Sequence, residues 1–236
     1  MKRRSMLAGM VVAGFDLEAQ TSSSGPESLY IPQPQLVEDR KLLLDFMDEY
    51  SFVDLVTSEP SLRITHIPVL LDRNAGKSGT IHGHLSRQNP QTEAISAGRR
   101  AVIVFHGPHS YISPTWYGRP EVVPTWNFAT VHASGKLKAV TGEPAMRDLL
   151  TKLIRKFEEP NSPYDLAKLP QSYTSSLIGG ILGFELEIEL LEGKLKLGQE
   201  RSEGDKEGIL KHLRSAHPEP SLYDFTASFY ARPKSQ

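Results

Sequence analysis

Between residues 51 and 140 the chain runs through six short β-forming stretches, and few folds accommodate that pattern. Residues 51–58, 62–71, 79–85, 101–106, 109–113 and 127–140 are the stretches, and Gly, Pro and Asn punctuate the gaps, as at Asn74-Ala75-Gly76. Short strands in such succession build a barrel or a sandwich, not a parallel α/β sheet. A later segment repeats the signal: Phe184, Leu186, Ile188 and Leu190 alternate with Glu185, Glu187 and Glu189, a strand with one dry and one wet face. No repeat of 20–50 residues is visible, which argues against solenoids and propellers.

Helices are additions to this β framework. Met146, Leu149, Leu150, Leu153, Ile154 and Phe157 trace one face of a helix over 144–159. Pro34 suits the first turn of a helix reaching about Tyr50, with Leu36, Leu43, Met47 and Tyr50 in one stripe and Leu44 beside it. A short helix is expected to start at Asn89-Pro90, capped by Asn89 and ended by Gly98. A last helix is expected over 205–214, with an irregular tail over 216–236. The fold class is therefore mainly β with added helices (α+β).

Charge and cysteine content narrow the chemistry. Lys and Arg number 27 against 28 Asp and Glu, giving a net charge of −1, so nothing in the bulk charge supports direct nucleic-acid binding. With no cysteine, disulfides, thiolate metal sites and cysteine nucleophiles are excluded.

The first 28 residues read as a signal-like leader and linker. Lys2-Arg3-Arg4 precede an apolar run from Met6 to Phe15, too short to span a bilayer but suited to a signal-peptide core. Arg3-Arg4 followed by Ser5-Met6-Leu7 looks like a twin-arginine export signal, which implies a periplasmic destination; a leader without that meaning implies the cytoplasm. The main domain is expected over 29–215.

Four segments carry candidate chemistry. In His82-Gly83-His84-Leu85-Ser86-Arg87-Gln88-Asn89-Pro90 a strand ends and a helix begins, and first-turn N–H groups beside the Arg87 fork suit a phosphate monoester. Ser86 and His84 can add hydrogen bonds. The bland reading gives Arg87 a salt bridge and leaves Asn89 a helix cap. His82 and His84 share a strand face, and Glu93, His106 or His132 can supply a third metal ligand, but no spacing completes a recognisable site, and no metal is expected.

The second and third segments, Phe105–Tyr117 and Val123–Phe128, hold both tryptophans, Trp116 and Trp126, each preceded by Pro-Thr. Aromatic and polar residues in proline-stiffened loops suit the wall of a flat-ligand pocket, a dimer interface, or a second small core. The fourth, Glu192 to Arg201, reads as a turn at Glu192-Gly193 followed by an alternating strip with its lysines on one face.

Taken together these motifs resemble the PaiB family of FMN-binding split-barrel proteins, often described as negative transcriptional regulators. The matching residues are Gly83-His84-Leu85 with Arg87 and Asn89-Pro90, the run Phe105-x-Gly107-Pro108-x-x-Tyr111-Ile112-Ser113-Pro114-x-Trp116-Tyr117, Val123-Pro124-Thr125-Trp126-Asn127, and Gly193-Lys194-x-Lys196-Leu197-x-Gln199, with Leu29-Tyr30-x-Pro32 before them. The resemblance covers about residues 29–215 and implies a six-stranded split β-barrel, a homodimer, and FMN in clefts at the two-fold contact. It further implies that Arg87, Ser86 and Asn89 hold the phosphate, that Thr65, His66 and Pro68 face the isoalloxazine edge, and that Trp116, Tyr117, Trp126 and Gln199 approach from the partner subunit or its rim.

The chain departs from the family where Gly198-Gln199-Glu200 replaces Ser-Gln-Asn, where Ser86 replaces a common alanine, and where Arg119-Pro120 stands in place of a frequent lysine. The expectation is a flavoprotein with a small-molecule redox partner, its substrate and catalytic residues unassigned. Three alternatives stay beside it: a transcriptional regulator, a haem-binding split barrel drawing on the eight histidines, and a cofactor-free interaction domain.

Overall fold

The computed structural model describes residues 29–118, 121–216 and 222–231. The leader and its export signal, and Arg119-Pro120, lie outside these residues.

Alternation of apolar and polar side chains sets the strands. In β2 (Phe52–Thr57), Val53, Leu55 and Thr57 are buried while Phe52 lies in solvent. Strand β3 (Arg63–Pro68) pairs antiparallel with β2, and β4 (Leu70–Asp72) pairs with β5 (Thr80–Ser86). The expected single run 62–71 is thus two strands that bend at Val69 from one half of the sheet to the other.

Strand β6 (Arg100–Ile112) joins what the sequence reads as two runs. Its pairing with β7 (Thr125–Val140) shifts register between His106 and His109, so Gly107-Pro108 sits in a bulge where proline's missing N–H costs no ladder bond.

The ladder runs β3-β2-β6-β7-β8-β5-β4, where β8 is Ile181–Glu187. Strand β9 (Leu190–Lys196) pairs with the first half of β7, and β1 (Leu36–Val37) pairs with β9. Nine strands form this sheet, against the six implied by the resemblance. Strand β7 exchanges one neighbour for another along its length: Phe128–Ser134 face β9, and Leu137–Val140 face β8. Gly135 stands at the exchange, where a methyl group would overlap the Glu187 carbonyl oxygen.

The hydrogen-bonded ring does not close. Strands β3 and β5 lie side by side with no ladder between them, which leaves a split along the barrel wall. Inside, Leu55, Ile81, Ile103, Phe105, Val131, Phe184 and Leu186 are completely buried.

Helix α1 (Arg40–Glu49) plugs the barrel with Phe46 and Met47. It begins later than expected. Pro34 lies in a 3-10 turn, Leu36 and Val37 are drawn into the sheet opposite Lys194 and Gly193, and Asp39 then caps the helix by accepting from the Leu42 N–H at 3.1 Å. Helix α2 (Thr92–Ser96) is only five residues long and does not start at Asn89; Gly98, at φ 62°, ends it as expected.

Helices α3 (Glu143–Phe157) and α4 (Gln171–Gly179) cover the outside of the β5–β8 half, where Met146, Leu149 and Leu153 meet Ile178. Phe157, expected on the buried face, is exposed where α3 ends. The expected turn at Glu192-Gly193 is the middle of β9, with Gly193 opposite Val131 and Val37. Helix α5 (Glu203–Ala216) is followed by α6 (Leu222–Tyr230), so the tail is not wholly irregular; Phe225 of α6 packs edge-on against Phe46, ring centroids 5.6 Å apart.

Candidate functional site

The split is bridged by side chains, not by main-chain hydrogen bonds. Where β5 ends, residues 86–91 form a turn in which Asn89 N–H donates to the Ser86 carbonyl at 2.9 Å. Asn89 Nδ2 reaches across to Thr65 Oγ1 on β3 at 2.9 Å, and Thr65 Oγ1 donates to Gln91 Oε1 at 2.6 Å. Gln91 is completely buried, and its Nε2 donates to the Leu55 carbonyl at 3.0 Å and to Thr57 Oγ1 at 3.1 Å. Sequence reading missed Gln91 altogether. A glutamine after Asn-Pro carries no local signal of burial; only the hydrogen bonds that its side chain finds on β2 and β3 give it one.

Strand geometry divides the three residues expected to act together on β3. Successive side chains point to opposite faces. Thr65 therefore turns toward Gln91, while His66 and Pro68 stand exposed on the outer face of the sheet.

On that face Asp54 of β2, another residue the sequence did not single out, binds two imidazoles. His66 Nδ1 pairs with one carboxylate oxygen, and His106 Nε2 of β6 pairs with the other at 2.8 Å. Partial burial pushes the Asp54 carboxyl up, but the hydrogen bonds from His106 and His66 together outweigh this and hold it below the usual carboxylate range. The signal was cross-strand: Asp54 lies opposite His66 in the β2–β3 register, which no sequence spacing reveals.

The same outer face carries exposed apolar groups. Phe52 is 67% exposed and Ile64 56%. Trp126 is bare as well, with Tyr111 edge-on at 6.2 Å and His109 at the same separation.

The remaining expected residues stand elsewhere. His84 shares its strand face with His82, which lines a cleft against Leu149 and Lys152 of α3; the His84 Nδ1 is buried with no hydrogen-bond partner among the described residues. Burial pushes the imidazoles of His82, His84 and His132 down. Ser86 and Arg87 are exposed at the turn; Ser86 Oγ accepts from Gln88 N–H at 3.3 Å, and Arg87 Nε donates to the Gly179 carbonyl at 3.0 Å. Arg87 therefore borders the cleft of about 480 Å³ between the turn, α3 and α4, on the opposite side of the turn from Thr65.

Trp116 stacks on His212 of α5, with centroids 5.3 Å apart and planes 5° from parallel. Tyr117 is buried under the Arg201 guanidinium, 4.9 Å from its ring centre. Gln199 holds the end of β9 in place: its Oε1 accepts from Leu197 N–H at 2.9 Å and its Nε2 donates to the Pro34 carbonyl at 2.7 Å. These three residues are satisfied within their own protomer, and of the expected aromatic rim Trp126 is left with open surface. Gly198, one of the departures from the family pattern, adopts φ 74°, a conformation that favours glycine over the serine it replaces.

Among the described residues no group of three or more His, Cys, Asp or Glu is placed to hold a metal ion. No helix among them is long and apolar enough to cross a membrane.

An antiparallel barrel left open between two strands, with a polar bridge across the opening and helices packed outside, defines a split-barrel protein. Solved structures agree on the fold. The flavocytochrome Anf3 from Azotobacter vinelandii superposes with a TM-score of 0.55 at 13% identity, covering 79% of this chain and 77% of that one. The FAD and heme binding protein from Mycobacterium smegmatis gives 0.52 at 18% identity, covering 69% and 73%.

In sequence, the family described as "Putative FMN-binding domain" matches residues 29–190. The protease synthase and sporulation protein PAI 2 of Bacillus subtilis is 33% identical over 189 residues, 79% of this chain and 90% of that protein. An uncharacterized protein of Emericella nidulans, AN0679, is 29% identical over 188 residues, 64% of this chain and 74% of that one. The chain belongs to the PaiB family of FMN-binding-domain proteins.

Proposed function

We propose that this protein is a homodimeric flavoprotein that binds FMN along the split between β3 and β5, near the two-fold contact. The observation that carries the reading is the Asn89–Thr65 bridge across that split at 2.9 Å, because it sets an amide donor beside an unpaired strand edge. Two features suit the group. The edge of β3 that faces β5 makes no ladder, so main-chain donors and acceptors are available along it for the pyrimidine edge of an isoalloxazine. The turn at 86–91 carries hydroxyl, guanidinium and amide donors suited to a phosphate in Ser86, Arg87 and Asn89, although Arg87 points to the Gly179 side of the turn.

Residues of this chain divide the work. Asn89, Ser86 and Arg87 hold the phosphate, with Arg87 leaving its Gly179 contact or extending past it. Thr65 fixes Asn89, and His66 with Pro68 borders the ring on the outer side of β3. Asp54 orients the His66 imidazole through Nδ1, so its Nε2 remains to exchange a proton at the ring edge. The flavin, when bound, supplies hydride or one-electron transfer to a small acceptor.

The exposed Phe52, Ile64, Tyr111 and Trp126 form the face against a second copy, which shields this outer side from water. His84, Trp116, Tyr117 and Gln199 support the scaffold.

The test is an absorbance spectrum of the protein as purified, an FMN titration, and the mass in solution. A yellow dimer is expected. A protein that shows no flavin absorbance and takes up no FMN refutes the cofactor, and a Soret band assigns haem in its place.

A further inference from the structure

We propose that Gln91 is the positioning residue of this site: it fixes the direction of the hydrogen-bond chain through Thr65 and Asn89, so that an N–H donor, not an acceptor, meets the ligand's phosphate. This rests on the flavin reading above and adds to it what makes the site select a phosphate.

The chain of bonds has only one allowed sense, because main-chain groups pin both of its ends. At one end Gln91 N–H, which can only donate, bonds Asn89 Oδ1 at 2.9 Å. That contact forces the Asn89 amide nitrogen to the other side, where it donates to Thr65 Oγ1 at 2.9 Å. Thr65 then has its hydroxyl hydrogen left for Gln91 Oε1, at 2.6 Å. At the far end Gln91 Nε2 must donate, because the Leu55 carbonyl at 3.0 Å can only accept. The Arg63 carbonyl, another obligate acceptor, lies at 3.4 Å from the same nitrogen.

Gln91 thus acts at both ends, through its own N–H and through its side chain. Flipping either amide would face two donors or two acceptors at a buried contact, which costs a hydrogen bond and leaves polar atoms unpaired. One Asn89 Nδ2 hydrogen goes to Thr65, and the second has no partner among the described residues. In the reverse sense the Asn89 oxygen would face the ligand and repel an anion. Gln91 therefore sets the sign of the group presented at the mouth of the split, its main-chain N–H orienting Asn89 and its side chain holding the Thr65 hydroxyl in the matching sense.

The experiment compares FMN with riboflavin, which differs only in lacking the phosphate, by quenching of flavin fluorescence. The variants are Thr65→Val, which keeps the shape and removes the relay, Thr65→Ser, which restores it, and Gln91→Glu, which cannot donate to Leu55 when ionised. In Thr65→Val and Gln91→Glu the FMN dissociation constant is expected to rise on the order of ten-fold or more, the loss of a charge-assisted hydrogen bond. The riboflavin constant should not move, and Thr65→Ser should behave as the parent.

If Gln91→Glu does not fold, Thr65→Val and Thr65→Ser carry the test alone. A parent that prefers FMN to riboflavin while Thr65→Val keeps the same preference overturns the inference and leaves the flavin reading standing. A Thr65→Val that weakens both flavins equally overturns it too, since that pattern is loss of structure. A parent that binds neither flavin overturns the reading beneath it as well.

Discussion

Replacing Phe52 by serine should break the proposed dimer without unfolding the chain. Phe52 is 67% exposed on the outer face of β2, opposite Pro68 of β3, with Ile64 further along the same face opposite Val56. An aromatic side chain of this kind presents about 200 Å² when free, so roughly 130 Å² is open to a partner. At about 25 cal/mol per Å² that is about 3 kcal/mol per protomer, and a two-fold interface contains the residue twice. Full burial of both copies sets an upper limit of about 7 kcal/mol. With half of that area covered, about 3 kcal/mol is lost, which raises the dimer dissociation constant about a hundred-fold. The assay is sedimentation equilibrium or light scattering over a concentration series, with circular dichroism to confirm an unchanged protomer. A parent that is monomeric throughout refutes the reasoning. So does a Phe52→Ser variant with the parent's dissociation constant, since the face would then lie outside the contact.

Other outcomes follow from the same geometry. Arg87→Ala should weaken FMN binding by about 1–3 kcal/mol, read by fluorescence titration, with little change in melting because Arg87 is exposed; unchanged affinity would remove Arg87 from the phosphate set. Burial keeps the His82, His84 and His132 imidazoles neutral in the folded protein, with pKa values below those of the unfolded chain. The unfolded state then binds more protons below about pH 6.5, so stability should be full above that value and fall as the pH drops toward 5. The depressed Asp54 carboxyl acts in the same direction at lower pH, its contribution being lost below about pH 4. Urea midpoints from pH 8 down to about pH 5 check the imidazoles and their continuation to about pH 2.5 checks Asp54, and a constant or rising midpoint on acidification would contradict them. Gly135→Ala should cost roughly 3 kcal/mol or more, because the added methyl meets a main-chain oxygen that cannot rotate away; soluble expression with an unchanged melting temperature would show that β7 can yield there.

Much of the framework was readable from local pattern. The two-residue alternation of β2 and β8, and the spacing of Met146, Leu149 and Leu153 along α3, are properties of a side-chain row on one element. The family motifs likewise pointed to the 86–91 turn. Less legible were the elements whose identity depends on a neighbour. Leu36 and Val37 looked helical until β9 drew them into a strand, and Glu192-Gly193 looked like a turn until β7 and β1 paired on either side of it. The gap between 101–106 and 109–113 vanished because a bulge lets β6 continue. Helix α4 has too weak an apolar stripe to stand out, and α6 is held by Phe225 against a helix about 180 positions earlier.

The amino-acid order by itself determined that the chain is an antiparallel β protein with helical additions, that thiol chemistry is absent, and that residues 82–90 and the two tryptophan segments carry the unusual side chains. Periodicity and residue type are local, so they survive without the fold. Tertiary structure decided which of those side chains meet: that Thr65 turns to Asn89 and Gln91 while His66 turns the other way to Asp54, and that Trp116, Tyr117 and Gln199 are engaged within the protomer. Those partnerships depend on strand register and on the unclosed ladder between β3 and β5, and register is a relation between distant segments that neither segment encodes alone.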